Sequence, residues 1–144
     1  MHFKKKAIIA AVVFTFLLAT TVWFKVFYLG SLPRNIEEEA GIKVTAIQLV
    51  SDFKTNEPAA YKKYTDDKDG KKAVEVTGVV QNVNLSEDTL VCISLKSNDP
   101  FTDVFVTLKK GETTQPNIGN TCTIKGVCTG ILTSVSIQDA ILIK

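Results

Sequence analysis

The sequence predicts a mainly β protein: a small closed barrel of five strands, preceded by a helical extension and, before that, a single transmembrane helix. Three observations predict it. Residues 7–24 hold no charged side chain and directly follow Lys4, Lys5 and Lys6. Between Thr45 and Tyr64 apolar residues recur at helical spacing. From Ala73 onward the apolar period drops to two, in five runs separated by turn-forming residues.

These eighteen uncharged residues at about 1.5 Å each give roughly 27 Å of helix, close to the hydrocarbon thickness of a bilayer. Lys25 can snorkel, so the predicted span is residues 7–29, behind a basic cytoplasmic start at residues 1–6. A cleaved signal peptide is the competing reading. The run exceeds a usual signal core, Ala19-Thr20-Thr21 is a poor cleavage site, and Trp23, Lys25, Phe27 and Tyr28 resemble an interfacial belt. These features favour retention. No cysteine lies near the run, which excludes a lipid anchor there. The lysines place the N-terminus inside and the rest of the chain outside the cytoplasm.

Removing the span leaves about 115 residues, enough for one domain and too few for two. The chain carries 17 basic and 15 acidic residues. Four basic residues (Lys4, Lys5, Lys6, Lys25) precede residue 30 and no acidic one does, so the exported part has 13 basic against 15 acidic groups, a net charge of −2. A protein gripping a polyanion through many phosphates would carry a basic excess.

Residues 30–43 read as a linker, with Pro33, Glu37-Glu38-Glu39 and Gly41. The exported domain is predicted over residues 44–144, as a helical extension (44–66) and a barrel (73–144). Thr45 and Gln48 fit a capping box ahead of Ala46, Ile47, Val50 and Phe53. Asn56 and Pro58 then open a second short helix through Ala59, Ala60, Tyr61 and Tyr64. The strand runs alternate through Val74, Val76 and Val80; Val91, Ile93 and Leu95; Val104, Val106 and Leu108; Cys122, Ile124 and Cys128; and Val135, Ile137, Ile141 and Ile143. Gly78 and Gly126 sit mid-strand, where a small barrel bends. Closure removes sheet edges.

Catalytic chemistry is scarce. The only histidine is His2, on the cytoplasmic side, so a histidine-based triad or acid–base pair is excluded in the exported domain, and so is a mixed His/Cys zinc site. Asp66-Asp67 and Glu87-Asp88 read as solvated turn charges. Residues 65–70 brush against a calcium loop, but Thr65 stands at its first position and Val76 where a bidentate glutamate belongs. Asn84-Leu85-Ser86 matches a glycosylation acceptor by chance. No enzyme, metal or cofactor is expected. Cys92, Cys122 and Cys128 read as small buried hydrophobes. Cys122 and Cys128 lie too far apart along one strand to bridge, and Cys92 could pair only across neighbouring strands. An odd, accessible thiol would leave room for redox sensing.

Residues 55–64, Thr-Asn-Glu-Pro-Ala-Ala-Tyr-Lys-Lys-Tyr, followed by Val74-Glu75-Val76-Thr77-Gly78-Val79-Val80, resemble the bacterial tRNA_anti-like family of OB-fold proteins. Ile118 to Gly126 is similar to that family's fourth-strand segment. The resemblance covers roughly residues 44–144. It implies an OB barrel with an N-terminal helical extension, in the bacterial envelope, and nucleic-acid binding by fold alone. The plain anchor helix departs from a lipoprotein pattern.

OB barrels bind on the outer face of their second and third strands. Here that face offers Leu90, Cys92, Ser94 and Lys96, then Phe105 and Thr107. The candidate ligand-binding residues are Phe101, Phe105, Lys96, Lys109 and Lys110. Aromatic rings flanked by lysines can stack a base or sugar at about 1–3 kcal/mol each. Against this, Phe105 could pack beneath the N-terminal helices, and the barrel holds only two aromatics and no basic excess. The main expectation is a membrane-anchored binding module outside the cytoplasm for an envelope protein, peptide or glycan. The alternative is a nucleic-acid-binding OB domain.

Overall fold

The computed structural model describes residues 2–29, 34–66 and 72–143, apart from the side chains of 2–10 and 29. The chain divides into two compact units, Met1–Arg34 and Asn35–Lys144.

The first unit is one helix, α1 (His2–Phe24), which continues as a wider π-helical turn over Lys25–Leu29. From Ala11 to Tyr28 it is exposed, and it is long and apolar enough to cross a membrane. Rings stack at its end, Trp23 on Phe27 at 5.4 Å and Phe24 on Tyr28 at 5.0 Å.

The second unit contains, in order, β1 (Gly41–Thr45), α2 (Ala46–Thr55), α3 (Glu57–Tyr64), β2 (Ala73–Leu85), β3 (Val91–Leu95), β4 (Val104–Leu108), β5 (Thr121–Ile131) and β6 (Val135–Ile143). The order β2-β3-β4-β6-β5 closes through β2–β5 pairing, and β4 runs parallel to β6. This is the predicted five-stranded barrel. The predicted alternation holds along β2, β3 and β4: Val74, Val76, Val80, Val91, Ile93, Leu95, Val104, Val106 and Leu108 all point into the core.

Three local readings change. First, the predicted linker ends early: Ile36 is buried, and Gly41–Thr45 is a sixth strand lying parallel to the start of β2. A buried lysine holds this segment, because Lys125 donates to the Glu37 carbonyl at 3.2 Å and lies 3.9 Å from Glu75. Second, the capping box is half formed. Thr45 accepts from the Gln48 amide at 3.1 Å, but the Gln48 side chain turns away to Asp52. Third, β6 changes face. Val135 and Ile137 point inward, then a bulge at Asp139 (φ +49°) turns Ala140 and Leu142 inward in place of Ile141 and Ile143. One extra residue shifts the side-chain parity of everything beyond it.

The two helices plug the barrel. Leu49, Val50, Phe53, Ala60 and Tyr64 join the inward strand residues in one core. Gly78 faces Ala46 and Leu95 so closely that a Cβ there would sit 2.9 Å from the Ala46 methyl. Asp52 ties the helices together, accepting from the Tyr64 hydroxyl at 2.5 Å and from Lys63 at 3.2 Å. The Tyr64 hydrogen bond, ahead of those from Gln48 and Lys63, holds the Asp52 carboxyl below its ordinary value.

Candidate functional site

On the outer face of β3 and β4, Cys92 is buried, Ser94 and Thr107 are half-buried, and Phe105 is exposed. Phe105 is the central residue of β4, and its cross-strand neighbours are Ser94 on β3 and Ser136 on β6. Both are small, so the ring stands open between them, 38% exposed. Phe105 does not pack beneath the helices, whose buried side chains join the barrel core instead.

Phe101 projects from the loop between β3 and β4 and is 86% exposed. Its loop is built for that display. The buried Ser97 hydroxyl donates to the Thr102 carbonyl and accepts from the Asp99 amide at 3.0 Å. The Asp99 carboxylate accepts from the Phe101 amide at 2.9 Å and is gripped by Lys54 of α2. The Lys54 ammonium, then that amide, holds the Asp99 carboxyl below its ordinary value. The plug helix thus anchors the loop that presents the second ring. Asp103 closes the other side of the loop, binding the Ser134 hydroxyl and, through its carbonyl, the Val135 amide at 3.0 Å.

The five predicted residues do not form one cluster. Lys96 and Phe101 share an open hollow of ≈ 400 Å³ at the start of β4. Lys109 and Lys110 follow the end of β4, roughly 17 Å away along five extended residues. Phe105 lies between. All three lysines are exposed. Beside Lys110 is a second hollow of ≈ 510 Å³, lined by Asp88, Leu90, Thr107, Gln138 and Asp139 among others. Sequence reasoning missed it, since it joins a turn, a strand end and a bulge. The only signal was Gln138-Asp139, a polar pair interrupting an apolar run.

Among the described residues no group of acidic, histidine or cysteine side chains is arranged to hold a metal. The turn weighed as a calcium loop, residues 65–70, lies outside the described residues from 67 onward. The three thiols are free, and Cys92 on β3 neighbours neither Cys122 nor Cys128 on β5. Burial raises the Cys122 thiol above its ordinary value and pushes Cys128 up to about 11. Such thiols are poor nucleophiles at neutral pH.

The model of the tRNA_anti-like family matches residues 1–143. The chain belongs to the tRNA_anti-like family. Among solved structures, this tRNA_anti-like chain is similar to a Klebsiella pneumoniae protein described as a candidate nucleic acid-binding lipoprotein. The two share 17% identity with a TM-score of 0.56, over 71% of this chain and 92% of that one. At that identity the likeness shows a common fold. No curated protein matches significantly.

Proposed function

We propose that the outer face of β3 and β4 binds single-stranded nucleic acid, on a domain that α1 tethers to a membrane. One observation carries this reading: Phe105 stands open between two serines, with a second exposed ring on a pinned loop nearby. Single strands are held by base stacking on aromatic rings, about 1–3 kcal/mol per base, with cations along the backbone. Phe105 and Phe101 supply the rings, and Lys96, Lys109 and Lys110 the cations. The family membership and the description of the Klebsiella protein support the same reading. The role is binding, with no reaction assigned.

Three lysines make few phosphate contacts, so affinity falls gently with salt, with a log–log slope of about −2. Titrating labelled 12-mer DNA and RNA into the full chain in nonionic detergent, at two salt concentrations, tests this. Binding that Phe105→Ala weakens at least fivefold supports it. No binding at low salt overturns it. The tether is tested separately: a chain that stays in the membrane pellet after an alkaline wash and keeps the mass of residues 1–21 retains its anchor.

A protein, peptide or glycan ligand, the main expectation from sequence, keeps one observation on its side. The exported part carries a net charge of −2, which a neutral ligand tolerates better than a polyanion does. Neither the family nor the Klebsiella protein's description adds support for it.

A further inference from the structure

We propose that the hollow at the far end of β4 receives the hydrogen-bond-donor edge of a guanine, giving this face a base preference as well as a stacking platform. The proposal rests on the single-strand reading above and names what that strand carries.

The hollow adjoins the platform by register. Thr107, on its wall, is two residues along from Phe105 on the same outer face. Gln138, on the opposite wall, is two residues along from Ser136, which pairs with Phe105. Two residues of strand span about 7 Å. A strand stacked on Phe105 and running toward Lys110 therefore brings its next base over the hollow, while Lys110 at the rim meets phosphate. Two bends in the backbone shape the walls. Thr89, between Asp88 and Leu90, has φ +60° and Asp139 has φ +49°, the two non-glycine residues in the left-handed region among those described. The left-handed geometry at Asp139 is the β6 bulge, and Asp139 lines this hollow.

The chemistry of the walls selects the edge. The carboxylate oxygens of Asp88 and Asp139 are hydrogen-bond acceptors. They disfavour phosphate inside the hollow and favour a base presenting N–H groups. Guanine alone offers two adjacent donors on its pairing edge, N1–H and the 2-amino group, which match the two oxygens of one carboxylate. Cytosine and adenine each offer one amino group there, and a carboxylate accepts from it singly. Thymine and uracil offer one N–H between two carbonyls, which a carboxylate repels. Gln138 and Thr107 remain to bond the other polar atoms of the ring.

The experiment uses the full chain in detergent and a panel of oligothymidine 12-mers whose central base is thymine, guanine, inosine, cytosine or adenine. Guanine should bind about tenfold tighter than thymine, the scale of one good bidentate pair. Inosine, which lacks the 2-amino group, should lose most of that gain. Asp88→Asn and Asp139→Asn should each reduce the guanine preference, read as the ratio of guanine to thymine affinity. Asp139→Gly, which suits the positive φ and removes the carboxylate without straining the bulge, guards against a folding effect. Equal affinity across the panel, or a guanine preference that survives the aspartate variants, overturns the proposal. If no oligonucleotide binds at all, the single-strand reading falls with it; if thymine binds and guanine adds nothing, only the present inference falls.

Discussion

Phe53 and Phe105 are chemically identical side chains on the same domain with opposite fates. Phe53 points from α2 into the barrel and is 2% exposed, meeting the edge of Tyr61 at 5.4 Å and lying 6.1 Å from Tyr64. Phe105 points outward from β4 and has a serine on either side. The barrel's plugged end and its outer face both offer aromatic surface, so aromatic content does not separate structure from function. The neighbours do. Large partners bury a ring for stability, whereas small flanking residues leave it available to a ligand.

This contrast can be broken in order of expected effect. Phe53→Ala should cost about 3–5 kcal/mol, the usual result of emptying an aromatic site in a core. Urea unfolding of the full chain in detergent, followed by near-ultraviolet circular dichroism, measures it. A cost below 1 kcal/mol would mean that the helices are not integral to the core. Next comes Gly126→Ala on β5. A Cβ there would lie 2.7 Å from the Ile137 side chain and 2.9 Å from the Gln138 carbonyl, so β6 must shift. About 1–3 kcal/mol should be lost by overpacking, with the same readout.

Asp52→Asn is smaller, at about 1 kcal/mol for a hydrogen-bonded pair, and it is pH-dependent. The folded-state pKa of Asp52 lies below the ordinary value of 3.8. Its contribution is therefore present above that value and lost as pH falls through the lowered one. Wild type and variant should differ in unfolding midpoint at pH 7 and converge in strong acid. A constant difference would mean that the carboxylate charge is irrelevant. The least stability effect belongs to the outer face. Phe105→Ala should change unfolding free energy by less than about 0.5–1 kcal/mol, because its ring is partly exposed already. It should nevertheless remove most strand binding. A large stability loss there would erase the contrast between the two rings.

The barrel was legible because period-two alternation depends on local geometry alone. Val74, Val76, Val80, Ile93 and Val106 each reach the core by pointing to the same side as a neighbour two residues away. The caps at Thr45 and Asn56 were legible for the same reason, since both bond to amides three residues on. Phe101, Phe105 and the three lysines were found as exposed residues, but their grouping was not. Strand direction splits them between the two ends of β4.

The sequence by itself determined the apolar N-terminal helix, the five-stranded barrel and the two capped helices, because each depends on residues close in the chain. Only the tertiary structure decided that Gly41–Thr45 would pair with β2, that the helices' buried side chains would join the barrel core and leave Phe105 uncovered, and that Asp88 and Asp139 would line one hollow. These outcomes depend on which distant segments meet, and the competition for buried apolar contact is settled across the whole domain at once.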